Sequence, residues 1–139
     1  MQMRYPRSPY DQVGDLVWVP RMFDKARMQQ NGELDEAYQP NLGIGHDGRC
    51  CKFLRIDYED IKTQIAAGSS DSEALEWCFE NGRKPDESDI ELWNGFMAKL
   101  GWGDKAQEFL SKRKETYGLS NRDDIQTLFQ LIEVDEERM

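Results

Sequence analysis

The stretch from Ser70 to Asp104, SDSEALEWCFENGRKPDESDIELWNGFMAKLGWGD, decides the fold class. Ser70 followed by Glu73 is a capping box, in which each side chain satisfies an orphan amide of a helix's first turn. Leu75, Cys78 and Phe79 then recur at helical spacing, and Asn81-Gly82 supplies a stop. Pro85-Asp86 starts a second helix with Ile90, Trp93, Phe96, Met97 and Leu100 on one stripe. Gly101 and Gly103 bracket Trp102 in a turn, and Asp104 can cap a third helix. Two amphipathic helices joined by a few turn residues, without strand-like alternation, point to an all-α chain.

The same punctuation extends both ways. Toward the C-terminus, Ala106, Phe109, Leu110 and Tyr117 mark a helix closed by Gly118. Ser120-x-x-Asp123 then predicts the opening of a last helix carrying Ile125, Leu128, Phe129 and Ile132. The acidic tail 135–139 is expected to fray. Toward the N-terminus, Asp57 is placed to cap a helix over Tyr58–Ala67 with Ile61 and Ile65 inward. A short helix is expected over Arg49–Leu54, after a long loop Glu33–Gly48 that holds Pro40 and three glycines. Pro20 suits a first helical turn, and the helix it starts runs to Asn31-Gly32 with Met22, Phe23 and Ala26 inward. Before it, Pro6 and Pro9 lack amide donors and force an extended path. Leu16–Val19 is the one β-like run, too short to build a sheet alone. The expectation is a single domain over residues 1–139: a compact orthogonal bundle of six to seven short helices with an extended N-terminal arm, residues 1–16.

Composition narrows the function classes. Charged residues make up 32% of the chain and mean hydropathy is −0.83, yet four Trp, six Phe and five Tyr supply core anchors that a disordered chain lacks. No run approaches the roughly 18 apolar residues of a membrane helix. MQMRYPRSPYDQ lacks the apolar core of a signal peptide. Three cysteines, two of them adjacent at Cys50-Cys51, suit reduced thiols in a cytoplasmic protein better than a disulfide framework. The net charge of −9 argues against nucleic-acid and membrane partners. That charge is uneven. Residues 1–30 hold five Lys/Arg against three acids, a surplus of two, so the other 109 residues carry −11.

Several constellations invite chemistry and fail on context. Gly43-x-Gly45-x-x-Gly48 matches a dinucleotide fingerprint, but no strand feeds it and no βαβ unit follows, so no cofactor is expected. His46, Cys50 and Cys51 are too few and too close for a zinc site, so no metal is expected either. Cys50 as nucleophile has no base at a known spacing. His46, the single histidine, is a conceivable general base, as is a carboxylate beside it.

The basic segment is the sharpest signal. Arg7 lies in the arm, and Arg21, Asp24, Lys25 and Arg27 follow in the first helix. Guanidinium forks and a helix start suit a carboxylate or phosphate. Two readings stay open: these residues form a ligand site for a small anionic ligand or an acidic protein partner, or they pair internally with the chain's own acids. A small enzyme using His46 beside Arg21 and Lys25 is the alternative.

Pro6-Arg7-Ser8-Pro9, Gly14 and Val19-Pro20-Arg21-Met22-x-Asp24-Lys25-Ala26-Arg27 resemble a family of small bacterial proteins known as domain of unknown function 5069. The resemblance continues through Asp47, Phe53-Leu54-x-Ile56-Asp57, Trp77, Trp93-Asn94, Asp124-Ile125 and the Leu131–Glu136 region, which is nearly the whole chain. It implies a bacterial, cytoplasmic, single-domain protein and no particular activity.

Overall fold

A computed structural model describes residues 4–139. The first three residues of the expected arm lie outside the described residues. Among the described residues the chain is mostly helical, as its punctuation predicts. It divides into two compact units, Met1–Ile90 and Glu91–Met139. No helix among the described residues is long and apolar enough to cross a membrane.

The first unit opens with residues 4–8 outside regular secondary structure, and the expected extended path bends in a turn at Pro9-Tyr10, where the Asp11 amide donates to the Ser8 carbonyl at 3.1 Å. The turn leads into a two-stranded antiparallel ribbon, β1 (Gln12–Val13) and β2 (Leu16–Val17), with Val13 opposite Leu16. The β-like run therefore finds a partner. Gly14 (φ 54°) and Asp15 (φ 64°) form its two-residue turn, and positive φ at both positions matches the twist of the flanking strands. A Cβ on Gly14 would come within 2.5 Å of the Leu75 side chain, so the turn packs closely there.

Helix α1 (Val19–Gln30) has Pro20 in its first turn and buries Met22, Phe23, Ala26 and Met28. A 3₁₀ segment (Glu36–Asn41) interrupts the long loop, and Asp35 accepts the Ala37 amide at its start. Helix α2 (His46–Leu54) begins three residues earlier than expected, with Gly45 as its N-cap at φ 59°. Helix α3 (Tyr58–Ala66) packs on α1 through Ile61 and Ile65, and Asp57 precedes it without a side-chain capping bond. Helix α4 (Asp71–Asn81) carries the full Ser70–Glu73 capping box. Its C-cap, Gly82, lies so close to the Leu54 carbonyl that a Cβ would collide with backbone. Leu75 and Cys78 are buried and Phe79 is half-buried.

Helix α5 (Glu87–Lys99) crosses the boundary into the second unit. There α6 (Gln107–Thr116) and α7 (Leu128–Asp135) pack around Leu100, Leu110, Ile125, Leu128 and Leu131. The sequence misplaces the start of α7. Ser120 and Asp123 stay in turns, and the capping box is Thr127 with Gln130. Lys114 Nζ satisfies the carbonyls of Arg122 and Ile125, which holds the preceding loop out of helix. Phe96, Phe109 and Tyr117, expected inward, are 43%, 50% and 44% exposed. Residues after α7 fold back, with Arg138 Nη1 bonding Glu136 and Glu133.

Candidate functional site

Trp18 organises the site. It is the N-cap of α1, with φ 74° and ψ −37°, a conformation that a bulky L-residue rarely adopts. Strain of this kind persists only where surrounding contacts hold it. Here the Trp18 amide donates to the Pro9 carbonyl at 3.0 Å. Its indole Nε1 donates to Asp47 Oδ1 at 2.8 Å.

Asp47 is fully buried in the first turn of α2. Its Oδ2 accepts the Gly43 amide at 3.2 Å and pairs with Lys25 Nζ at 3.0 Å. The loop glycine thus serves a carboxylate of its own chain. Gly43 also lies against the Tyr58 ring, where a Cβ would sit 2.9 Å from Cδ2. The buried Tyr58 hydroxyl makes no hydrogen bond among the described residues, and burial followed by the Asp47 charge pushes its pKa up.

Two cations share the indole. Arg21 Cζ lies 5.4 Å from the Trp18 ring centroid and Lys25 Nζ 5.0 Å, with Arg21 also 5.9 Å from the Tyr38 ring. The side chains project from α1 four residues apart, one turn above each other. Arg21 is only 3% exposed and Lys25 5%. Burying a cation is costly unless it is well compensated. Lys25 has the Asp47 carboxylate, and Arg21 Nη1 donates to the Arg7 carbonyl at 3.0 Å.

His46 packs against the same indole at 4.7 Å between centroids, with its ring tilted by 52°. Its pKa is lowered from 6.5 to about 4, chiefly by burial, then by Arg49 and Lys25, against the opposing Asp47 charge. The imidazole is therefore neutral at pH 7. His46 and Tyr38 are half-buried and Arg49 is exposed, so the cluster meets solvent on this side.

The five residues singled out in the sequence fall into two layers. Arg21 and Lys25 converge on Trp18. Arg7, Asp24 and Arg27 instead belong to an outer belt of acid–base pairs. Asp24 takes Arg4 Nη2 at 2.9 Å, the Arg7 amide at 3.1 Å and Arg27 Nη1 at 3.7 Å. Asp71 joins Arg7 Nη1 at 3.0 Å to Arg27 Nη2 at 2.9 Å, and Arg7 Nε reaches Asp11 at 3.0 Å. Trp18, Tyr38 and Asp47 are the members that residue-by-residue reading did not assign to the site. Only the Asp47 match in the family resemblance pointed toward one of them.

The thiols are packing groups. Cys50 is fully buried and its pKa is well raised, while Cys51 and Cys78 are each pushed up to about 12, burial being the main cause in all three. No cluster of metal-ligating residues forms among the described residues. An open groove bordered by Lys52, Arg55, Asp57, Asp60 and Trp77 carries charges of both signs and shares no residue with the Trp18 cluster.

A family model described as a domain of unknown function, DUF5069, matches residues 3–138. No curated protein matches the chain.

Proposed function

We propose that this chain, which belongs to the DUF5069 family, is a binding module for a small oxyanion, the phosphate or carboxylate group of a larger metabolite. The observation that carries the reading is the convergence of two nearly buried cations, Arg21 and Lys25, on one strained indole in a chain of net charge −9. A guanidinium offers five donors in a planar fork, and Arg21 Nη1 donates to the Arg7 carbonyl, a neutral acceptor. Neutral His46 adds a hydrogen-bonding edge, and Arg49 adds positive potential where the cluster meets solvent. The overall negative charge supports a small ligand over a nucleic acid. Buried, free thiols fit a reducing, cytoplasmic setting.

The titration behaviour favours binding over catalysis. A general base works best with a pKa near the operating pH. Around the cluster the pKa values move away from neutrality: His46 goes down, while Cys50, Cys51 and Tyr58 go up. The outer cations Arg4, Arg7 and Arg27 have carboxylate partners, which supports a structural role for them.

The test is titration with inorganic phosphate and acetate, read by calorimetry and by the NMR shift of the lone imidazole. Arg21→Gln should weaken any affinity about 10- to 100-fold, the equivalent of one charge-assisted hydrogen bond of about 1.5–3 kcal/mol. The reading fails if neither anion perturbs His46 at millimolar concentration. It also fails if folded Arg21→Gln protein binds as well as the wild type.

A further inference from the structure

We infer that residues 4–11 form an autoinhibitory strap, whose Arg7 carbonyl occupies the guanidinium donor that the ligand's oxygen would take. This rests on the oxyanion reading above and adds how that site is regulated. The Arg7 peptide group is gripped on both sides: its N–H donates to Asp24 Oδ2 at 3.1 Å, and its carbonyl accepts from Arg21 Nη1 at 3.0 Å. Two residues further on, the Pro9 carbonyl accepts the amide of Trp18 at 3.0 Å. Pro6 and Pro9 are buried, so the strap lies packed along the start of α1. A carbonyl oxygen on a buried guanidinium has the same acceptor chemistry as an oxygen of phosphate or carboxylate, without the charge. A charged ligand would therefore win the donor once the strap lifts.

The ties that hold the strap are weak by comparison. Arg4 clasps Asp24 and Arg7 clasps Asp71, but the two arginine side chains are 49% and 45% exposed. Their carboxylate partners Asp24 and Asp71 are 4% and 22% exposed, but the solvent-facing guanidinium ends leave both pairs open to screening by salt and weaker than a fully buried pair. Pro9 stays anchored on the Trp18 amide, and the stretch before it is tied in part by these solvent-facing guanidinium pairs, while the Arg7 carbonyl contact with Arg21 lies inside.

Asp71→Asn releases the Arg7 clasp together with the Arg27 pair, Arg4→Gln releases the Asp24 clasp together with the Glu33 pair, and neither residue touches the Trp18 cluster. Amide hydrogen exchange over residues 4–12 and affinity for inorganic phosphate are measured in both variants and the wild type. Strap exchange should accelerate at least about threefold and phosphate Kd should fall about two- to fivefold, the range of one exposed ion pair. Faster exchange with unchanged or weaker affinity overturns the autoinhibition and leaves the oxyanion site standing. Unchanged exchange in both variants overturns the strap itself. If no form binds phosphate, the oxyanion reading fails and the inference falls with it. Arg4→Gln decides alone should Asp71→Asn prove unfolded.

Discussion

Lowering the pH should destabilise this protein through one imidazole. His46 has a folded-state pKa of about 4 against 6.5 when exposed, because burial and three neighbouring cations oppose its protonation. Above pH 6.5 neither state binds the proton, and His46 contributes no pH dependence. Below 6.5 the unfolded chain takes up a proton that the folded one refuses until about pH 4. Stability therefore falls with falling pH across that window. Integrating the linkage gives losses of about 1 kcal/mol at pH 6, about 2 at pH 5 and about 3 at pH 4. Carboxylates titrate in the same range, so His46→Gln serves as the reference. Urea unfolding of both proteins at pH 7, 6, 5 and 4.5 gives the difference, and at pH 5 the midpoint gap should change by roughly 1 M for a chain of this size. The chain has one histidine, so its imidazole resonance also reports the pKa directly. A midpoint near 6.5, or a wild-type-minus-variant difference flat with pH, refutes the account of the cluster as a buried, electropositive pocket.

Two further substitutions separate buried from exposed contributions. Asp47→Asn leaves Lys25 buried without its carboxylate and should cost about 3 kcal/mol in urea unfolding. A loss below about 1 kcal/mol would show that Lys25 is solvated in solution. Thr127→Ala should cost about 1 kcal/mol by removing the capping box of α7, whereas Ser120→Ala stays within about 0.5. Equal costs for the two would restore the helix start at Ser120.

Much of the helical framework is legible in the sequence. Proline at a first turn, glycine after a last one and the Ser70–Glu73 pair act through backbone chemistry within a few residues, so α1, α3 and α4 can be read locally. The family resemblance is legible for a different reason, since the Pro6–Pro9 and Val19–Arg27 patterns are not the residues that helix propensity alone would choose. Where two local signals compete, reading fails. Ser120 and Thr127 both offer caps, and the choice falls to Lys114, which ties up the carbonyls of Arg122 and Ile125 from the preceding helix. The Gly14-Asp15 turn is a readable hairpin signal that the shortness of its strands conceals.

The sequence by itself determined the helical class, most helix ends and the presence of a basic segment in an acidic chain, because each depends on spacing along the backbone. Only the tertiary structure decided which cations act together. Arg7 and Arg27 resemble Arg21 and Lys25 in sequence, yet Asp71, arriving from α4, pairs Arg7 and Arg27 at the surface. Asp47, arriving from α2, anchors Trp18 and Lys25 inside, with Arg21 and His46 on the same indole. A charge's role depends on its desolvation and on which opposite charge comes within about 4 Å, and both are set by chain segments far apart in sequence.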